Sequence, residues 1–381
     1  MSTPAGALGP GPEARALCPA GAARDRMTAG AAARQTPPER EPMPHRILLT
    51  QLRRIGDVLM TTPAVAAVRA AHPEAHIAYL TEPPSDQVFA HSPHVDEVIR
   101  LPRRATLAER LALLARLRRA RYDVVVDFFG NPRSALLTRL TGAPRRIGPD
   151  FAGRRWAYTE RIDPGAAGAY AAAHKAALVA PLGARPASLL PRVFPGPDDA
   201  AYAARQLAAL GVAPGDFLVA LSPVSRQPYK VWPAERFAAV ADALVERHGA
   251  RVLFVWGPGE AHFVEAVRRR MTRPALPDYP VPTLLQLAAL LARARLYVGN
   301  DNGPRHFAVA VGTPTVAVFG RPQPANWTPP GEPRHRAVAH DPGCKSRCTY
   351  PACDLGCILG VALDDVLRET LALAESLTSK P

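Results

Sequence analysis

Short runs of β-branched and aliphatic residues alternate along this chain with longer stretches of helical periodicity. The first series is RILLTQL from Arg46, a helix over about Asp57 to Ala71, HIAYL, VDEVIRL, an amphipathic segment and YDVVVDFF. That alternation is the rhythm of βαβ units and a parallel sheet. A Pro-rich stretch, PLGARPASLLPRVFPGP (Pro181 to Pro197), then interrupts it and has the composition of an interdomain linker. A second series follows: DFLVALSP, a helix through AERFAAVADALVERHG, ARVLFVWG, a helix after Gly259, ARLYVGN, RHFAVAVG and TPTVAVFG. The pattern predicts an α/β protein of two doubly wound domains, over residues 44–185 and 186–361, with a helix and tail at 362–381. Ligand sites are expected at the C-terminal ends of strands and in the cleft between the domains.

Composition changes this picture little. The 381 residues are 48% hydrophobic and 21% charged, an ordinary globular balance apart from 42 prolines and many alanines and arginines. Residues 1–43 mix Ala, Gly, Pro and Arg without an apolar h-region. They read as a disordered or misassigned extension and not as a secretory signal, since MPHRILLTQL from Met43 would enter a strand almost at once. No run approaches the ~18 apolar residues of a membrane span. Cytoplasm is therefore the expected compartment, with peripheral contact at the inner membrane as the furthest approach to lipid. A net charge of +14 suits polyanions in general. Without an RNP-like aromatic pattern, zinc-finger spacing or a heptad zipper, nucleic acid is not expected among them.

Three segments carry candidate chemistry. In RRIGDVLMTTP, a strand-to-helix turn presents Asp57. Gly56 permits close backbone approach, and Thr61 and Thr62 leave room for a ligand; a simple helix-capping role for Asp57 is the competing reading. SPVSRQPYKVWP gathers Ser225, Arg226 and Lys230 ahead of Pro233, an arrangement suited to an anion and equally to a solvated charged loop. Downstream, Glu260 follows a Gly-Pro-Gly turn. In VGNDNGPRHFA, Asp301, Asn302, Gly303 and His306 surround a helix start, where a diphosphate is well received. Arg321, Asn326 and Trp327 are placed to wall this site.

These segments, in this order, resemble the ADP-heptose:lipopolysaccharide heptosyltransferases, glycosyltransferase family 9, from about Arg46 to Leu367. The family's basic-Gly-Asp-hydrophobic-Leu-x-Thr-x-Pro element is matched by Arg53 or Arg54 and Gly56 to Pro63. Its K-x-W-P element is matched by Lys230, Trp232 and Pro233, its D-x-G-x-x-H element by Asp301, Gly303 and His306, and its Cys-terminated run by CILGVALDDV. The chain departs from the commonest pattern at Met60, where a His often follows GDVL, and in the SRQPYK loop.

The resemblance implies a GT-B fold and an inverting, metal-independent transfer of a heptose or related sugar. The donor implied is a nucleoside diphosphate sugar, ADP-heptose, and the acceptor a lipid-linked or oligosaccharide core of lipopolysaccharide. It implies Asp57 as base and Lys230 as the catalytic cation. Ser225, Arg226, Lys230, Glu260, Asp301, Asn302, Gly303 and His306 then hold the donor, and Arg54, Gly56, Thr61 and Arg133 the acceptor. The alternatives are another nucleotide-sugar enzyme or a non-catalytic sugar-nucleotide-binding protein on the same fold. No cofactor is expected for the reaction. Cys344, Cys348, Cys353 and Cys357 form C-x3-C-x4-C-x3-C, which suggests a structural zinc site or free thiols.

Overall fold

The computed structural model describes residues 44–344 and 347–378, so the expectation for residues 1–43 lies outside the described residues. The first lobe contains β1 (Arg46–Thr50), α1 (Ile55–Leu59), α2 (Thr62–Ala71), β2 (His76–Thr81), β3 (Glu97–Arg100), α3 (Leu107–Arg119), β4 (Val124–Asp127), α4 (Pro132–Leu140), β5 (Arg145–Pro149), β6 (Glu160–Ile162) and α5 (Ala171–Val179). The second contains α6 (Pro197–Ala209), β7 (Leu218–Ser222), α7 (Ala234–His248), β8 (Arg251–Phe254), α8 (Ala261–Arg268), α9 (Leu284–Arg293), β9 (Leu296–Asn300), α10 (Gly303–Ala310), β10 (Thr315–Phe319), α11 (Pro324–Trp327), β11 (His335–Ala339), α12 (Gly356–Leu359) and α13 (Leu363–Thr378).

The strands form two parallel sheets, ordered β3-β2-β1-β4-β5-β6 and β11-β10-β9-β7-β8. Helices cover both faces, so central strands such as LVALS and TVAVF are buried throughout and read as continuous apolar runs. The strand order reverses between β1 and β4 in one sheet and between β7 and β9 in the other. Crevices open at such reversals, outside the C-terminal ends of the strands. The loops issuing there carry Gln51 to Asp57, Asp127 to Gly130, Ser222 to Lys230 and Asn300 to His306.

The expected helix over Asp57 to Ala71 is broken in two. Pro63 has no N–H for the Leu59 carbonyl four residues back, and that carbonyl accepts the Thr62 hydroxyl at 2.8 Å. The linker, without helix or strand over residues 184–196, is tied to both lobes. Arg192 N–H donates to Thr62 Oγ1 (2.9 Å) and Val193 N–H to the Ala310 carbonyl (3.4 Å). An apolar core passes from Leu49, Val58 and Val65 in the first lobe to Leu290, Tyr297 and Phe307 in the second. The terminal α13 packs on α7, β10 and β11.

Candidate active site

The lobes meet where α1 touches α10. A Cβ on Gly56 would stand 2.9 Å from the His306 ring, so a glycine is needed for this approach. Asp57, the next residue, is therefore brought beside the helix start that carries Asp301 and His306. It sits at the third position of α1, and its Oδ2 accepts the Arg54 N–H at 3.1 Å, so it reaches back to the turn instead of forming the N-cap itself. The side chain of Asp57 is half-buried and that of Arg54 exposed.

A residue that the pattern did not flag lies on the first-lobe side. Lys175 of α5 is half-buried, and its ammonium donates to Gln51 Oε1 (3.1 Å) and to the Phe128 carbonyl (2.6 Å). It ties the ends of β1 and β4 together at the strand-order reversal. Burial pulls its pKa down, while the charges of Asp57 and Asp127 act to hold its proton. Asp127 is itself buried, and burial raises its pKa against hydrogen bonds from the Phe129 and Gly130 amides and Tyr158 OH.

The residues expected on the acceptor side are held in different settings. Thr61 is buried, with its hydroxyl bonded to the Val58 carbonyl and to Tyr79 OH, both at 2.7 Å, so it anchors the α1–α2 break and does not line the cleft. Gly56 faces His306. Arg133 donates to Glu82 Oε1 (2.6 Å), and Arg103 takes the other oxygen of that buried carboxylate (3.1 Å). Arg133 Nη2 is buried without a hydrogen-bond partner.

On the second-lobe side, Lys230 Nζ lies 2.6 Å from Asp301 Oδ2, and Asp301 is only 2% exposed. His306 Nε2 stands 4.0 Å from the other Asp301 oxygen. Burial first, then Arg305 and Lys230, push the His306 pKa down to about 3 against the pull of Asp301, so the imidazole is neutral at neutral pH. Its ring lies 5.5 Å from that of Trp327. Ser225 Oγ accepts the Gln227 N–H (3.1 Å). Arg226 pairs with Glu260 at 3.3 Å, and Glu260 also accepts the Gly257 N–H across the Gly-Pro-Gly turn.

Asn302, expected on the donor, is consumed by the fold. Its Oδ1 caps α10 through the Arg305 N–H (3.1 Å) and accepts Tyr297 OH, while its Nδ2 reaches Ser222 Oγ and the Val224 carbonyl. Pro304 has no N–H, which leaves that of Gly303 as the donor at this helix start; no side chain stands within 4 Å of the Gly303 Cβ position. Arg305, also unflagged, is fully buried beneath the loop, donating to the Trp327 carbonyl (3.0 Å) and Thr328 Oγ1 (2.9 Å). Arg321 lies over the Tyr229 ring, 5.6 Å from its centre, and thereby braces the Lys230 loop from the side of β10.

The four clustered cysteines are free thiols, and among the described residues no three His, Cys, Asp or Glu side chains converge to hold a metal ion. Among the described residues no helix is long and apolar enough to cross a membrane.

Comparison with known proteins follows this geometry. The sequence model of glycosyltransferase family 9 (heptosyltransferase) matches residues 110–357. A lipopolysaccharide heptosyltransferase 3 of Escherichia coli is 28% identical over 292 residues, 73% of this chain and 84% of that protein. The glycosyl transferase family 9 structure from Veillonella parvula superposes with a TM-score of 0.74 at 24% identity, covering 88% of this chain and 98% of that one. The E. coli heptosyltransferase WaaC with ADP-2-deoxy-2-fluoro heptose gives 0.61 at 23% identity, covering 85% and 99%.

Proposed function

The chain belongs to glycosyltransferase family 9 and has its GT-B fold; from that premise we propose that it transfers a heptose, or a closely related sugar, from an ADP-sugar to a lipopolysaccharide core acceptor, with inversion. The observation that carries this reading is the juxtaposition across the α1–α10 contact of a half-buried carboxylate, Asp57, with the Lys230–Asp301 pair and a neutral His306. The first lobe takes the acceptor and the second the nucleotide-sugar. An ADP-heptose analogue is what the WaaC complex holds.

Asp57 takes the proton from the acceptor hydroxyl, whose oxygen bonds to the anomeric carbon as the bond from that carbon to the diphosphate oxygen breaks. The nucleoside diphosphate leaves with the electron pair. A positioned base contributes typically ~10²–10⁴-fold to such a step. Lys230 and the Gly303 N–H at the α10 start meet the charge growing on the leaving group, so no divalent ion is required. Asp301, released from Lys230 when the diphosphate arrives, accepts hydrogen bonds from donor-sugar hydroxyls. Neutral His306 contacts phosphate as a donor without adding charge, and the Arg226–Glu260 pair lies toward the nucleoside. Arg133 and Arg54 face the acceptor, which is reached through peripheral contact with the cytoplasmic face of the inner membrane.

The test is incubation with ADP-heptose and other nucleotide-sugars, with and without a truncated core acceptor. Acceptor-dependent glycoside with inverted anomeric configuration by NMR is expected. Sugar conversion without acceptor would replace this reading with that of another nucleotide-sugar enzyme, and donor binding without turnover would replace it with a binding protein.

A further inference from the structure

Among the described residues seven large hydrophobic side chains stand exposed, and five of them, Leu107, Leu111, Leu136, Phe151 and Trp156, fall within fifty residues of the first lobe. Scattered exposed apolar residues are normal; five on one rim are not. In a parallel sheet the segment after a strand begins at that strand's C-terminal edge. Leu107 and Leu111 occupy the first turns of α3 after β3, Leu136 the second turn of α4 after β4, and Phe151 and Trp156 follow β5. All five therefore lie along the edge of the sheet that also carries Asp57. The elements touch in series, α3 on α4 and α4 on the turn Arg155–Ala157.

The leucines of α3 at positions 107, 111, 114 and 117 do not all face the core. Leu117 is buried and Leu114 half-buried, but Leu107 is 73% and Leu111 56% exposed, one turn apart on the same face. Trp156 is 54% exposed, with its Nε1 donating to the Gly153 carbonyl (3.0 Å), so the ring is held outward by its own loop. The charge along this stretch of chain is predominantly positive. Between Arg100 and Arg161 there are fifteen arginines against five acidic residues, with no lysine. Among the described residues Arg104, just before α3, and Arg110, in its first turn, are exposed and enter no ion pair, and Arg154 stacks 5.5 Å from the centre of the Phe151 ring.

We propose that this rim is a membrane-docking surface for an anionic phospholipid bilayer, with Leu107, Leu111 and Trp156 inserted at the headgroup boundary and the unpaired arginines on lipid phosphates. Leucine and tryptophan on a polar, arginine-rich face are the composition of interfacial anchors, and arginines near an anionic leaflet add attraction that salt screens. An aqueous protein partner of opposite charge would account for the arginines but would leave the outward tryptophan and paired leucines without a purpose. The docking rests on the reading above for its role, because a lipid-linked acceptor would then enter from the same edge that presents Asp57.

The experiment uses the full chain and vesicles without acceptor, so that its outcome is independent of whether transfer is the reaction. Flotation with phosphatidylglycerol-containing vesicles should recover most of the protein. Pure phosphatidylcholine, or 0.5 M salt, should lower the partition coefficient at least tenfold. The double variant Leu111→Glu/Trp156→Glu should lose at least tenfold in partitioning with its melting temperature kept, and should transfer to a soluble delipidated acceptor at the wild-type rate. Brominated lipids should quench wild-type fluorescence, with the quenching reduced in Trp156→Phe; that measurement needs no disruptive substitution. Equal partitioning of wild type and double variant, equal partitioning on neutral and anionic vesicles, or a wild-type dimer in solution that the double variant dissolves would each overturn the proposal, the last by making the rim a contact between copies. Loss of soluble-acceptor transfer in the wild type, with vesicle binding intact, would count against the enzymatic reading alone.

Discussion

Replacing Lys230 by Ala should do two separable things. The ammonium is paired at 2.6 Å with Asp301, a carboxylate only 2% exposed, and deletion leaves that carboxylate buried without its cation. Breaking a fully buried pair costs about 3–5 kcal/mol. The Lys230 side chain is 22% exposed, so water softens the loss and about 2–3 kcal/mol is the appropriate range. At about 2–4 °C per kcal/mol for a domain of this size, the melting temperature should fall by about 5–10 °C. Donor binding should weaken as well, because a charge-assisted contact contributes about 1.5–3 kcal/mol, or about 10- to 150-fold in Kd. Lys230→Ala/Asp301→Asn separates the effects: neutralising the stranded carboxylate should recover most of the stability and only part of the affinity. Calorimetric melting and titration with ADP on the three proteins give both readouts. If Lys230→Ala melts with wild-type protein and binds ADP equally well, the pair is neither structural nor part of the donor site.

Other expectations follow from the buried charges. Native His306 stays neutral down to about pH 3 while an unfolded histidine takes a proton near 6.5, so the unfolded chain binds more protons in that window. Its stabilising contribution is complete above pH 6.5 and is lost as pH falls toward 3, with a slope of roughly 1.4 kcal/mol per pH unit; His335, pushed to about 4 by burial, acts in the same direction. His306→Gln should therefore lose less stability than wild type between pH 7 and 5, and parallel melting curves would refute this assignment. Lys175→Gln keeps amide donors for Gln51 and Phe128 but removes the charge facing Asp57 and Asp127. Transfer should fall at least tenfold with donor affinity unchanged, whereas a wild-type rate would reduce Lys175 to a structural tie. Dialysis against EDTA should leave the transfer rate unaltered, and a rate restored only by added divalent ion would show that Lys230 and the α10 start are not sufficient for the leaving group.

The strands were legible because both sheets are covered on both faces, so that RILLT, LVALS and TVAVF each carry a continuous apolar run, broken only at their ends. The site loops were legible for a related reason: in such sheets they follow strand ends, and Asp57, Lys230, Asp301 and His306 each do. Pairings between them were not. Gly56 meets His306 across 250 positions, and nothing in either segment announces the other. Asn302 shows a signal that was present but outweighed, since Asn-Gly-Pro carries a preferred N-cap and a proline in the first turn, and capping is where its amide is used. Thr61 looked small enough to border a ligand, but hydroxyls of that size also satisfy carbonyls at a helix break. Lys175 and Arg305 had no local signal, because burial of a cation depends on what folds around it from distant strands.

The claim that Asp57 is the base is tested most directly by the turnover rate of Asp57→Asn relative to wild type, at saturating donor and acceptor. Asparagine is nearly isosteric, and its side-chain oxygen can still accept the Arg54 N–H, so the turn is kept while the proton acceptor is removed. The account predicts a rate lower by about 10²-fold or more, with melting temperature and ADP affinity at wild-type values on the same preparation. A rate within a few fold of wild type would contradict it and leave Asp57 as the residue that closes the α1 turn.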